Sequence, residues 1–218
     1  DGGLFLDFHE IIVKTKEIKP HFAPGMGKRA HYANINFGIL GEIIEKVTDL
    51  PLKDVFKRFI FDPLGLENTY LPTDEHEVVP KIYYKDTALH RPELTKVKSI
   101  GASGGCISTA RDLMVFIKAF FKGKLFSEAI LHKFQINNRL QLPMTPIHYG
   151  AGYMRISLNG LTTFFMGKGE LIGHSGSTGS LAFYYPSKDM FFVGDVNQMM
   201  NPAIPVRLAL QLALSMKS

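Results

Sequence analysis

Two short segments of the sequence carry side chains whose types and spacing suit hydrolytic chemistry. The first is Tyr32-Ala33-Asn34, which follows a proline-rich loop and precedes a run of apolar residues at helical spacing. The tyrosine can present its hydroxyl to a cleft, while the asparagine caps the helix or hydrogen-bonds a ligand amide. On its own the triplet is weak evidence, because Tyr-x-Asn also arises by chance as a half-buried tyrosine beside a helix cap.

The second segment is the glycine-rich run Gly173-His174-Ser175-Gly176-Ser177-Thr178-Gly179-Ser180. Glycines let a substrate lie against the backbone of a strand, whose N–H groups can then face a developing oxyanion. The alternative is a polar hairpin in which His174 is one of 8 ordinary histidines. Because a helix-rich segment separates the two runs and they occur in this order, together they favour a catalytic site.

The elements that position these residues follow from apolar periodicity and turn residues. Residues 1–148 are mainly helices and loops, and one helix begins after Asn34 and stops at Asp49-Leu50-Pro51. Ser108 is expected to cap another helix that starts at Ala110. The remaining helices are expected near the N-terminus and over residues 52–61 and 127–134, with a turn over 62–66 and irregular loops over 71–99.

From Tyr149 the sequence changes to short β-prone runs separated by turn residues. Asn159-Gly160 predicts a two-residue hairpin. The expected fold is α+β, in a single domain over residues 1–218, with residues 149–218 forming an antiparallel meander and a C-terminal helix over 205–216. The predicted strands cover residues 152–158, 161–165, 171–175, 180–185 and 190–196.

Composition excludes several classes of protein. The net charge of +5 comes from 25 basic and 20 acidic side chains that are scattered along the chain, so no nucleic-acid surface is predicted. Cys106 is the only cysteine, which rules out an internal disulfide and a cysteine-based metal site. The histidines are dispersed, and we predict no metal or cofactor. No apolar run approaches the roughly 20 residues of a transmembrane span.

Further landmarks extend over almost the whole chain, and together they carry a family resemblance. In order and composition they resemble the serine β-lactamases of the class C type, D-Ala-D-Ala carboxypeptidases and related esterases. The landmarks are a proline loop over residues 22–25, the Tyr-x-Asn motif and its helix over 32–48, a Pro-Leu-Gly turn over 61–69, a Gly-Gly-x-x-Ser-Thr-x-x-Asp-Leu helix start over 104–113, and His-Ser-Gly over 174–176.

The resemblance implies a β-lactamase/transpeptidase-like fold, an antiparallel sheet flanked by helices, and a bacterial protein that acts in the periplasm or outside the cell. It also implies roles for individual residues. Tyr32 would shuttle protons as base and then acid, and Asn34 would hold the substrate amide. His174 would orient or polarise the substrate, and Ser177 would offer its backbone N–H as half of an oxyanion hole. The substrate would also contact Ser175 and Gly176.

The sequence departs from the family pattern at the nucleophile, because no serine is followed by a lysine three positions later. In the family this Ser-x-x-Lys lies upstream of Tyr-x-Asn, so we interpret Asp1 as a truncation. The missing segment would also supply the first strands of the sheet and the nucleophile helix. We expect the chain alone to be inactive and to expose apolar surface and a strand edge, which makes the missing segment a candidate partner.

Two hypotheses remain open at this point. In the first, the parent is an active serine hydrolase whose substrate is a β-lactam, a D-amino-acid peptide or an ester. In the second, the chain belongs to a non-catalytic binding relative that has discarded the nucleophile. Histidine at 174, where the family often has lysine, favours a carboxypeptidase or esterase over a typical β-lactamase, because histidine is only partly charged near neutral pH.

Overall fold

The computed structural model describes residues 8–23, 25, 28–73, 78–85, 87–89, 101–134, 138–140, 147–150, 152–164 and 166–216. The chain divides into two compact units. The helical unit comprises Asp1–Pro24 and Ala33–Asp112, and the sheet unit comprises Gly25–Tyr32 and Leu113–Ser218. Much of the predicted irregular stretch over 71–99, including residues 90–99, lies outside the described residues.

The regular elements are seven α-helices and nine strands within the described residues. The helices are α1 Phe8–Lys16, α2 Asn34–Thr48, α3 Leu52–Phe56, α4 Asp62–Leu64, α5 Ala110–Phe121, α6 Glu128–Lys133 and α7 Ile204–Ser215. The strands are β1 Arg29–Ala30, β2 Ile82–Tyr84, β3 Thr87–Leu89, β4 Asn138–Leu140, β5 Ile147–Tyr149, β6 Met154–Ser157, β7 Glu170–Ser175, β8 Ser180–Tyr185 and β9 Met190–Asp195. None of the described helices is long and apolar enough to cross a bilayer.

Helix α2 ends where the sequence predicts. Asp49 takes the left-handed conformation with φ 54°, and its N–H donates to the carbonyl of Glu45 at 2.9 Å. The Glu45 carboxylate then accepts the N–H of Leu52 at 2.6 Å, which satisfies a free donor at the start of α3. The predicted stop at residues 49–51 is therefore confirmed, and Glu45 links the two helices.

The turn predicted at residues 62–66 begins too early, because the helix continues to Leu64. A π-helical turn over Lys57–Phe61 joins α3 to α4, and the Asp62 N–H donates to the Lys57 carbonyl five residues back. A wider turn relieves the clash that the Pro63 ring would otherwise make with a carbonyl in the preceding turn. The helix ends at Gly65, whose φ of 66° is left-handed, and the N–H of Leu66 closes the end on the Phe61 carbonyl at 2.9 Å.

Two of the sequence landmarks bind each other inside the helical unit. The Asp112 carboxylate is 5% exposed and accepts hydrogen bonds from the Asn68 N–H at 2.8 Å and the Thr69 hydroxyl at 2.9 Å. The start of α5 is capped by Thr109, whose hydroxyl accepts the Asp112 N–H at 3.2 Å. The Ser108 hydroxyl instead lies 2.8 Å from that of Thr69, so the expected cap is wrong by one residue. These motifs therefore stabilise the fold.

Replacing Asp112 with alanine should destabilise the chain by about 3 kcal/mol, because it removes the charged acceptor of two part-buried hydrogen bonds, from the Asn68 N–H and the Thr69 hydroxyl. The measurement is the free energy of unfolding from urea denaturation. Asp62→Ala is the matched control, since the Asp62 carboxylate pairs with Lys57 on the surface and is 58% exposed. That variant should lose less than about 1 kcal/mol. Equal losses in the two variants would contradict the structural role of Asp112.

The sheet unit holds a seven-stranded sheet in the order β1-β4-β5-β6-β7-β8-β9. All neighbours are antiparallel except β1 and β4, and β6 to β9 form the predicted meander. The mixed α+β class is therefore confirmed. Alternate residues of these strands form the core, and α7 packs on that cluster through its small side chains. The cluster includes Ile156, Leu158, Leu171, Leu181, Phe183, Ala209 and Ala213.

The hairpin predicted at Asn159-Gly160 is wrong, and so is the strand predicted over 161–165. Residues Gly160–Thr163 form a 3₁₀ turn instead. The Thr163 hydroxyl is buried and donates to the Leu158 carbonyl at 2.5 Å, while the Asn159 side chain accepts the Gly169 N–H at 3.0 Å. The type I′ turn that Asn-Gly favours needs a positive φ at both turn residues, and of these two only Gly160 has one. The hydrogen bonds of the Thr163 and Asn159 side chains thus take the place of a tight hairpin turn between β6 and β7.

Candidate active site

Three rings meet at one end of the sheet unit. Tyr32 ends the segment that follows β1, Tyr149 is the last residue of β5, and His174 lies near the end of β7. Ring centroids lie 5.3 Å apart for Tyr32 and Tyr149, 5.7 Å for Tyr32 and His174, and 5.7 Å for Tyr149 and His174. Tyr32 and His174 are 142 positions apart in the sequence, and the sheet brings them together.

Gly173 determines how His174 is presented. Its φ is 153°, and a Cβ built on it would lie 2.1 Å from the Ala182 carbonyl oxygen on β8. Any side chain would therefore force the two strands apart, because the obstacle is backbone. The glycine before the histidine lets β7 run close against β8 while His174 turns towards the two tyrosines.

The His174 ring makes two hydrogen bonds. Its Nδ1 lies 2.8 Å from the backbone carbonyl oxygen of Ser175, and its Nε2 lies 3.2 Å from the Tyr149 hydroxyl. Both polar atoms of the imidazole thus have partners on neighbouring parts of the same sheet. The ring is held in one orientation beside Tyr32.

Burial sets the protonation states of the three rings. Burial raises the pKa of Tyr32. It also raises the pKa of Tyr149, and the nearby Tyr32 raises that pKa further. Burial lowers the pKa of His174, an effect partly offset by the bond to the Ser175 carbonyl. Each shift favours the uncharged form. Burial therefore favours the neutral phenol form of Tyr32.

The turn after His174 presents a free backbone donor. The Gly176 N–H donates to the Ser180 carbonyl at 2.8 Å, and the Gly179 N–H donates to the Gly176 carbonyl at 3.1 Å. Ser177 lies between them, is exposed, and its own N–H donates to no other described residue. A free N–H at the end of a strand is the kind of group that stabilises an oxyanion.

Asn34 belongs to the helical unit, where it is the first residue of α2 and is exposed. The cap position is Ala33, so the asparagine does not cap the helix by its side chain. The sequence offered two roles for Asn34, helix capping and binding of a ligand amide. The structure removes the first, and the second stays a prediction.

Tyr149 is the functional candidate that the sequence did not reveal. It is 9% exposed and belongs to no motif, and only the register of β5, β6 and β7 brings its hydroxyl to His174. Within the described residues, no group of three or more histidine, cysteine, aspartate or glutamate side chains could hold a metal ion.

Comparison with known proteins decides the family. The family model named Beta-lactamase matches residues 6–215, which is nearly the whole chain. The chain belongs to the Beta-lactamase family. The resemblance inferred from the sequence motifs is thereby confirmed, and the relatives described next are named as hydrolases.

A putative D-alanyl-D-alanine carboxypeptidase of Salmonella paratyphi B is 25% identical over 217 residues, covering 84% of this chain and 48% of the relative. A D-stereospecific amidohydrolase from Streptomyces sp. superposes with a TM-score of 0.76 at 24% identity and covers 98% of this chain and 62% of its own. The D-amino acid amidase of Ochrobactrum anthropi SV3, complexed with L-phenylalanine amide, superposes with a TM-score of 0.72 at 21% identity. That match covers 96% of this chain and 62% of the amidase chain.

The two solved structures share the fold with this chain, which is that of the β-lactamases and transpeptidases. The chain spans about half the length of the carboxypeptidase relative and 62% of each solved chain. The amidase structure shows a protein of this fold with a small amino acid amide bound.

Proposed function

We propose that this chain is the C-terminal part of a serine hydrolase that forms an acyl-enzyme with an amide, a β-lactam or an ester. The observation that supports the proposal is the meeting of Tyr32 and His174 beside a turn with a free Ser177 N–H. A proton-transfer group, a polar orienting ring and an oxyanion donor are the supporting parts of acyl transfer. The nucleophile is supplied by a Ser-x-x-Lys segment outside residues 1–218.

In the proposed reaction, the serine oxygen attacks the substrate carbonyl and its proton passes to the phenolate oxygen of Tyr32. The carbonyl oxygen takes the negative charge and accepts the Ser177 N–H. When the carbonyl reforms, the bond to the leaving nitrogen or oxygen breaks and Tyr32 returns the proton to it. Water then repeats the sequence on the acyl-enzyme and releases the acid. Asn34 holds the substrate amide, and the substrate lies along Ser175 and Gly176.

The lysine of the upstream segment has a defined electrostatic task in this scheme. Burial disfavours the phenolate of Tyr32, and the rings around it, Tyr149 and His174, are themselves favoured in their neutral forms. A lysine ammonium near the phenolate would lower the pKa of Tyr32, because an opposite charge within about 4–6 Å favours the ionised form.

Two surfaces support the proposal that another segment packs on this chain. Helix α2 exposes four apolar side chains at helical spacing, by 40% to 80% of their areas: Ile39, Leu40, Ile43 and Val47. In the sheet unit, β9 ends the strand order, and no other described strand pairs with its outer edge. An exposed apolar face and an open strand edge are features that proteins normally cover. The upstream segment is the proposed cover for both.

The proposed substrates are small molecules or peptides with a D-configured or β-lactam acyl group. The relatives described above are named a putative D-alanyl-D-alanine carboxypeptidase, a D-stereospecific amidohydrolase and a D-amino acid amidase. Histidine at 174 removes the fixed positive charge that lysine would offer a substrate carboxylate, which favours a carboxypeptidase or esterase over a typical β-lactamase. From the family resemblance we also propose that the protein acts in the periplasm or outside a bacterial cell.

The competing proposal is a non-catalytic relative that keeps the cleft to bind a ligand or partner. Its support is the absence of Ser-x-x-Lys between residues 1 and 218. The two proposals differ in what lies upstream, because an apolar helix carrying Ser-x-x-Lys belongs only to the enzyme.

Active-site labelling separates the two proposals. A fluorescent penicillin and a fluorophosphonate are incubated with this chain and with the longer protein that includes the upstream segment. We expect no labelling of the chain alone and labelling of one serine in the longer protein, lost when that serine is replaced by alanine. A longer protein that takes neither label and hydrolyses no ester would favour the binding relative.

A further inference from the structure

The Tyr149 and His174 side chains form a hydrogen-bonded pair whose protons can be assigned from chemistry. The Ser175 carbonyl oxygen can only accept, so the Nδ1 atom of His174, 2.8 Å away, carries a hydrogen. In a neutral imidazole the other nitrogen, Nε2, is then an acceptor. The Tyr149 hydroxyl at 3.2 Å therefore donates to it.

The surroundings of His174 favour this neutral form. The titratable groups whose rings contact it are Tyr32 and Tyr149, and the pKa of each is raised by burial, so neither supplies a negative charge. Glu170, on the same strand, is paired with Arg155. Burial also lowers the pKa of His174 itself. An imidazolium here would have no anionic partner among these neighbours.

We propose that Tyr149 is a positioning residue, which holds His174 as the neutral Nδ1–H tautomer with its ring fixed against Tyr32. The imidazole then presents no free N–H, because one nitrogen donates to Ser175 and the other accepts from Tyr149. A substrate carboxylate meets no imidazole donor at this position. The assignment of the pair stands on this chain alone, whereas its consequence for catalysis rests on the proposed function.

The pair can be tested directly in this chain by NMR. Long-range ¹H–¹⁵N correlation spectra of the ¹⁵N-labelled chain at pH 7 should show His174 with a protonated Nδ1 and an unprotonated, hydrogen-bonded Nε2. In Tyr149→Phe the Nε2 resonance should move towards that of an unbonded ring nitrogen. Tyr185→Phe is the matched control, because Tyr185 is a buried tyrosine of the same sheet whose hydroxyl bonds the Lys168 carbonyl, and it should leave the His174 resonances unchanged.

A protonated Nε2 or a charged ring in the unsubstituted chain would overturn the proposal, even if Tyr149→Phe failed to fold. Identical shifts of the His174 resonances in Tyr149→Phe and Tyr185→Phe would overturn it too. In the longer protein, Tyr149→Phe should lower kcat/KM about tenfold, the size of one neutral hydrogen bond, with Tyr185→Phe unchanged. If the spectra show the pair but the longer protein is inactive, the pairing is supported and the proposed function fails.

Discussion

Gly173→Ala is expected to destabilise the chain by about 3 to 5 kcal/mol, since a Cβ at this position adds both backbone strain and overpacking. The added carbon would lie 2.1 Å from the Ala182 carbonyl oxygen and 2.7 Å from the Phe183 Cα, so β7 and β8 would have to separate. The free energy of unfolding from urea denaturation measures the loss. Because His174 follows directly, the same variant should disturb the His174 and Tyr149 resonances.

The matched control is Gly194→Ala on β9 of the same sheet. A Cβ built on Gly194 meets no atom within 4 Å, and its φ is an ordinary one for L residues. This variant should change the free energy of unfolding by no more than about 0.5 kcal/mol. Similar small losses in both variants would show that β7 does not approach β8 as closely as the structure describes.

Tyr32→Phe is expected to lower kcat/KM by about 10²- to 10⁴-fold in the longer protein, because it removes the group proposed to move the proton in both acylation and deacylation. The ring and its contacts with Tyr149 and His174 are retained, so the unfolding midpoint should stay near that of the unsubstituted protein. Ester hydrolysis under kcat/KM conditions is the assay. A loss confined to KM would point to substrate binding in place of proton transfer.

Tyr185→Phe again serves as the control, since it removes a buried hydroxyl that lies outside the ring cluster. Its kcat/KM should match that of the unsubstituted protein. If Tyr32→Phe also retained full kcat/KM, another group would have to move the proton, and Tyr32 would leave the proposed mechanism. Labelling of the serine with a fluorophosphonate would show whether the acylation step is the one affected.

Substitution of lysine by histidine at the strand position changes the electrostatics of the whole cluster. Lysine would bring a permanent charge, whereas His174 is held between a carbonyl and a hydroxyl and is favoured as neutral. In the proposed mechanism, residue 174 therefore brings no fixed positive charge to the Tyr32 phenolate, and the upstream lysine is the group proposed to bring one. Loss of that lysine should be as damaging as loss of the tyrosine.

Local sequence determined much of the architecture. The limits of α2 follow from an apolar period of 3.6 and from Asp49-Leu50-Pro51, because a residue before proline is disfavoured in the helical conformation. Short β-prone runs bounded by turn residues likewise predicted β7, β8 and β9. The ordered motifs identified the family. They also predicted Tyr32, His174 and Ser177 as site residues, and all three belong to the sheet unit.

Short strands and contacts distant in sequence could not be predicted in this way. β1 and β4 have two and three residues, too few for a period to show. Asn159-Gly160 is typical of a hairpin turn, yet the segment between β6 and β7 forms a 3₁₀ turn. The side chains of Thr163 and Asn159 stabilise that turn by hydrogen bonds to Leu158 and Gly169. The π-helical turn before Pro63 likewise depends on a steric conflict with the preceding turn.

The sequence by itself determined the family and the α+β class and predicted the supporting residues of the site, because these depend on motifs and periodicity that a single segment carries. Only the tertiary structure decided that Tyr149 belongs beside His174 and that Gly173 must be a glycine. It also decided that Asp112 ties two motifs together. Each of those facts depends on strand register or on a backbone approaching within a few ångströms, and such distances arise only when remote segments pack.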